Sequence, residues 1–138
     1  AYLDALATGA APRVTASRTV FVADSREEAR RHAEAGLRRA VVGLRRSGHT
    51  IVDDSLDNLI RSLDTHVGTV DEVAESLAAD RTLDRSQEIA FQVHSVDAPH
   101  ELVLRSIELF ATEVAPALGW TTPDGALTPS VAATTAQP

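Results

Sequence analysis

The segment EIAFQVHSVDAPHE, residues 88–101, places two histidines, His94 and His100, just beyond a short apolar run. Histidine titrates near neutral pH, so a well-placed imidazole can act as a general acid, a general base or a metal ligand. Alternation along a strand over 88–94 sets Ala90, Gln92 and His94 on one face and Ile89, Phe91 and Val93 on the other. The larger apolar set is expected to face covering helices, which turns Gln92 and His94 the other way. His94 then stands at the end of a strand, where α/β proteins gather their sites; the competing reading is a rim histidine bonded to a loop carbonyl. His100 falls in the first turn of a helix announced by Asp97 and Pro99. A cationic ring there opposes the helix dipole, which favours a loop or capping role. The spacing of the pair matches no standard zinc pattern and the chain has no cysteine, so no metal site is expected.

Two further positions invite chemistry. Arg18 lies in the middle of a β-branched run, where an unpaired charge is costly. It either pairs with an acidic group from a part of the fold that this sequence lacks or reaches a ligand. His66, followed by Val67 and Gly68, is read as the opening of a turn, with loop geometry the plainer role. The arginines of 26–46 suggest a nucleic-acid stripe, but Glu27, Glu28 and Glu34 are interleaved at pairing distance, which favours a solvated outer face.

The elements that must position these residues follow from pattern. Residues 1–9 read as the closing turns of a helix with a glycine stop, and with no methionine at position 1 the chain is expected to begin inside an element. Residues 11–13 form a linker. Residues 14–23 (VTASRTVFVA) predict a strand. A long helix follows, opened by a capping box of Ser25 and Glu28, with Ala29, Ala33, Leu37, Ala40, Val41 and Leu44 on its apolar face, and Gly48 closes it. Residues 55–63 predict a short helix. Thr69 and Glu72 form a second capping box for a helix ending near Asp80. Residues 88–94 are the second strand, and the last helix, from Pro99, carries Val103, Ile107, Phe110, Val114 and Leu118. The sequence after Trp120 has no periodicity and is expected to be a flexible tail.

Composition narrows the function classes. The basic residues are thirteen arginines, and the net charge is −7, which argues against a nucleic-acid or anionic-membrane partner. Aromatics make up 4%, too few for base-stacking platforms. Nothing approaches the roughly 20-residue apolar run of a membrane span, and a cytoplasmic setting is the default. Alternating strands and helices indicate a parallel sheet, yet two strands are too few to form one, so the chain is expected to be incomplete without further strands.

The runs RTVFVADSREEARRHAE (18–34), HVGTVDEVAESLA (66–78) and EIAFQVHSVDAPHELVLRSIELFATEVAPAL (88–118) resemble, in this order, the C-terminal part of the bacterial luciferase-like flavin-dependent monooxygenases. The resemblance rests on Val20 to Ser25, Glu28-Ala29, Val67 to Ala74, Ile89 to His94 and Pro116 to Leu118. It implies an α/β fold, namely the last two strand–helix units of a (β/α)8 barrel over 14–120, the insertion between them carrying the short helix of 55–63. It also implies reduced FMN, or F420 in some branches, a small organic substrate, and a homodimer when complete. On this reading Arg18, Gln92 and His94 line the interior and rim of the barrel, with His66 and His100 as weaker candidates for cofactor contact. Strands one to six are absent, so the remaining barrel must come from another segment or a partner chain. A barrel of this kind takes about 250 residues. The alternatives are an F420-dependent reductase, a non-catalytic companion of a complete barrel, and a small interaction domain.

Overall fold

A computed structural model of the chain describes residues 2–93 and 98–120. The described residues form a three-stranded parallel sheet with helices on both faces. In chain order the elements are strand β1 (Thr15–Val22), helix α1 (Arg26–Arg46), helix α2 (Leu56–Ser62), strand β2 (Thr65–Gly68), helix α3 (Val70–Ala78), strand β3 (Glu88–Gln92) and helix α4 (His100–Leu109). Helix α4 continues through a wide π-helical stretch, Phe110–Val114, into a last turn, Ala115–Ala117. The α/β expectation therefore holds for the described residues. Residues 121–138, the expected tail, and His94 and Asp97 lie outside them.

One sequence expectation needs correcting: there are three strands, not two. Residues 65–68 form β2 rather than a turn, so His66 lies inside a strand. Four residues with a single β-branched pair carry too little alternation to be legible, and Gly68 imitates a turn signal. The real reason for Gly68 is space. A Cβ there would sit 2.5 Å from Glu72 Oε2 and 2.9 Å from Glu72 Cβ. Glu72 is close because it closes the capping box, accepting from the Thr69 N–H at 3.0 Å while Thr69 Oγ1 accepts from the Glu72 N–H. The other predicted box is half formed, since Ser25 Oγ accepts from the Glu28 N–H at 3.2 Å.

The strand order is β2-β1-β3. β1 pairs its second half with β2, from Thr19↔Thr65 to Val22↔Gly68, and its first half with β3, from Thr15↔Glu88 to Thr19↔Gln92. Even-numbered residues of β1 face α3 and α4: Ala16, Val20 and Val22 bury against Val73, Leu77, Leu109 and Val114. Odd-numbered residues face α1 and α2: Phe21 and Ala23 bury against Ala29, Ala33, Leu37, Val41 and Leu59. Small residues on α1, Ala29, Ala33 and Gly36, are buried there and let the helix axis approach Phe21. This is a doubly wound arrangement, whereas a barrel wall carries its helices on the outer face only.

Helix α4 is rotated from the stripe the sequence suggests. Ser106, Leu109 and Val114 are buried, while Ile107 is half exposed. The cause is a backbone demand. β3 stops opposite Thr19, so the Val22 N–H on that side has no strand to receive it, and Ser106 Oγ accepts it at 2.8 Å. A buried donor left without an acceptor costs ~1–3 kcal/mol. Ser106→Val, which fills the space but removes the acceptor, is therefore expected to lower unfolding stability by about 2 kcal/mol, read as a lower urea midpoint at unchanged slope.

Candidate functional site

Burial and charge come together at one place among the described residues, beneath α3. Arg18 comes from the middle of β1, His66 from β2 on the same face, and Ser76 and Asp80 from the last turn of α3 and the residue pair that follows it. Arg18 grips the carboxylate with two donors, Nε to Asp80 Oδ2 at 2.5 Å and Nη2 to Oδ1 at 3.3 Å. A third donor, Nη1, goes to the Ser17 carbonyl at 2.9 Å. The Thr82 N–H adds a bond to Asp80 Oδ1 at 2.9 Å. Little of either side chain is exposed, 11% for Arg18 and 14% for Asp80. The guanidinium fork and these N–H bonds hold the Asp80 carboxyl down at about 2.

His66 occupies the centre of this cluster. Its Nδ1 lies 2.8 Å from Ser76 Oγ, and its Nε2 lies 3.6 Å from Asp80 Oδ2, beyond hydrogen-bond reach. Nε2 is buried with no hydrogen-bond partner. Burial is the main force lowering the His66 pKa, and Arg18 adds to it. Asp80 and Asp64 pull the other way. The ring is therefore neutral at pH 7. The carboxylate beside Nε2 favours the tautomer that carries the proton there, which leaves the Nδ1 lone pair to accept from the Ser76 hydroxyl.

The candidates are distributed unevenly. The expectation that Arg18 needs an acidic partner from a missing segment, or a ligand, is corrected: its partner is Asp80 of this chain. Arg18 faces α3, while Gln92 is exposed on the opposite face, where its Nε2 donates to Ser17 Oγ at 3.1 Å. Arg18 and Gln92 thus do not meet, and His94 is outside the described residues. His100 opens α4 and is exposed, with no side-chain cap from Pro99. Asp80 and Ser76 were missed because neither belongs to a motif; a polar residue at the end of an amphipathic helix reads as solvent-facing. The signal for Asp80 was Arg18 itself, whose charge demanded a partner.

At the opposite end of the sheet, past the strand C-termini, charges are paired among themselves. Arg26 meets Glu72, and Arg105 meets both Asp24 at 3.1 Å and Glu108 at 2.9 Å. The arginines of α1 behave as a solvated face, Arg30 with Asp57, Arg38 with Glu34 and Arg45 with Asp54. A cleft of ≈ 1020 Å³ lies beside β3 and is mainly apolar, with Leu77, Leu83, Ile89, Phe91, Phe110 and Trp120 in its wall. None of Arg18, His66, Asp80 or Gln92 lines it.

No protein-family model matches the chain, nor does any curated protein.

A flavin needs donors for its phosphate and polar partners for its ring edge. Among the described residues the N-terminus of α1 is served by Ser25 and that of α3 by Thr69 and Glu72, with an acidic residue in the first turn of each. Such ends repel an anion. The cleft offers aromatic surface, with Asp84, Ser86 and Gln87 as the polar side chains in its wall. The described residues therefore do not by themselves fit FMN or F420. No group of three or more histidine and acidic side chains among them is placed to hold a metal ion.

Two outcomes follow. Removing one partner from a largely buried ion pair is far more costly than removing both. Asp80→Asn is expected to cost about 3 kcal/mol and Arg18→Met with Asp80→Leu close to nothing, both measured by urea unfolding. The pH dependence has a definite sign. His66 binds its proton more weakly folded than unfolded, so the unfolded chain takes up more protons below about pH 6.5, and stability falls with pH there. The Asp80 carboxylate adds a second loss lower down, between its unfolded value of 3.8 and its folded value of about 2. His66→Gln is expected to abolish the first limb and keep the second, as followed by circular dichroism in urea from acid to neutral pH.

Proposed function

We propose that this chain forms the C-terminal portion of a luciferase-like flavin-dependent monooxygenase, which oxidises a small organic substrate with O2 and reduced FMN. The observation that carries the reading is an unfinished sheet bordered by apolar surface. Beyond β3 no strand among the described residues takes up the outer backbone groups, and the apolar cleft runs alongside that border. On the other face Thr15, Ser17, Ala90 and Gln92 are exposed, although a parallel sheet is normally covered on both sides. A neighbouring strand–helix unit answers the open border: its strand extends the ladder and its helix fills the cleft. The resemblance of the ordered motifs at 20–25, 28–29, 67–74, 89–94 and 116–118 is what points to this family, and flavin is the group that would supply its oxygen chemistry.

Two facts bear on the barrel form of this reading. On the barrel reading the face bearing Gln92 is the interior, yet α1 and α2 cover the other half of that face at Phe21 and Ala23. The order β2-β1-β3, with helices on both faces, departs from the consecutive order of barrel strands. The oxygenase reading therefore requires that flavin and substrate be held mostly by residues elsewhere, with Gln92 and His94 contributing at the strand ends and F420 as the alternative cofactor. The mainly apolar lining of the cleft favours a second reading, a non-catalytic companion that completes the sheet of another polypeptide.

The gene that encodes this chain, expressed whole, is expected to give a product that releases FMN or F420 on denaturation. With reduced flavin and substrate it should consume O2, and Gln92→Ala should lower turnover without loss of folded protein. A product that is colourless, releases no flavin and takes up no O2 supports the companion reading instead.

A further inference from the structure

The flavin reading leaves the cluster beneath α3 unused. We propose that Ser76 is a nucleophile activated by His66, with Asp80 positioning the imidazole, and that it accepts an acyl group from small activated esters. This inference is independent of the oxygenase reading.

The geometry carries it in three steps. Ser76 is exposed on α3, and its Oγ lies 2.8 Å from His66 Nδ1, within proton-transfer distance. His66 is 6% exposed, and its other nitrogen, Nε2, lacks any hydrogen-bond partner. An unpartnered buried nitrogen is expensive, and a carboxylate oxygen, Asp80 Oδ2, lies 3.6 Å from it. The charge of that carboxylate favours the ring's proton on Nε2 and stabilises the imidazolium formed when Nδ1 takes a second. The resulting order, hydroxyl to imidazole to carboxylate, is that of an activated-serine site, and the pattern is recognised by geometry rather than chain order.

The reaction closes without any external oxidant or reductant. Ser76 Oγ bonds to the acyl carbon as its proton passes to His66 Nδ1. The tetrahedral intermediate then collapses, the bond between the acyl carbon and the leaving oxygen breaks, and the leaving group departs with the electron pair. Its proton comes from Nδ1, or is lost to solvent if the leaving group is a stable phenolate. Water then gives a proton to the same Nδ1 as its oxygen bonds to the acyl carbon; the bond from that carbon to Ser76 Oγ breaks, Oγ takes the proton back from Nδ1, and the carboxylic acid leaves. Ser76 lies within α3, where backbone N–H groups are spent on the helix ladder. That helix consequently offers the oxyanion no donors, which restricts the donor class to esters with good leaving groups.

Four groups surround the base: Ser76 on α3, Asp80 after it, Arg18 on β1 and Asp64 before β2. Arg18 disfavours the imidazolium and the two aspartates favour it. The acylation rate should accordingly rise with pH through a single midpoint below the ordinary histidine value of about 6.5. The test uses p-nitrophenyl acetate with the full chain, following nitrophenolate release and locating the acetyl group by peptide mass mapping. The expected result is acetyl on Ser76 and a rate falling about 100-fold in Ser76→Ala and in His66→Gln. His66→Gln retains a hydrogen-bonding side chain but cannot take the proton. In Asp80→Asn the midpoint should move to lower pH, a change that a purely structural role would not produce. If a variant fails to fold, the wild-type pH profile and the acetyl position decide. Acetyl spread over several serines, a rate unchanged in His66→Gln, or a profile with no histidine midpoint overturns the proposal.

Discussion

Everything in this molecule is arranged around one constraint, the two-sided burial of the second half of β1. Val20, Phe21 and Val22 are almost wholly inaccessible to solvent. Successive residues of a strand point to opposite faces, so a run of this kind needs a cover on each side and a neighbour on each edge. α1 with α2 supplies one cover, α3 with α4 the other, and β2 supplies one edge. On the remaining edge β3 falls short, and a serine hydroxyl takes the place of the missing strand. The first half of β1 is covered on one face only: Ala16 is buried on the α3 side, while Thr15 and Ser17 are exposed on the other.

The polar cluster is a consequence of the same arrangement. Arg18 is the one charged residue of β1 and lies on the face that α3 covers, so the descending end of that helix must bring a carboxylate to it. Asp80 does so, with the Thr82 N–H holding its second oxygen. Burial of this pair then sets the electrostatics for His66. A buried ion pair contributes little net stability, but it is intolerant of being halved. It therefore fixes how α3 lies on the sheet more than how firmly.

Much of this was legible in the sequence, for identifiable reasons. β1, α1, α2 and α3 were readable because each is a long enough patterned run, and the expected caps Ser25 and Thr69 do serve α1 and α3. β2 was not, because four residues cannot display alternation and its glycine serves packing rather than turning. The burial of Ser106 was also invisible: a serine inside an apolar helix looks like a surface residue until the strand beside it is known to end early. For the site, Arg18 announced a need for a partner, but only the fold could say which of many acidic residues answers it. The pairing of Ser76 with His66 joins two elements that have no shared pattern.

The aromatic wall beside β3 has a practical consequence. Trp120 is the sole tryptophan of the chain, and its ring stacks on Phe91 at 5.9 Å between centroids, with Phe110 packed on the far partner at 4.4 Å. The indole therefore borders both the open cleft and the last strand. Its emission colour follows the wetness of that cleft, so the molecule carries its own optical gauge: whatever settles against β3, by whichever route, dries the indole and shifts its light toward the blue.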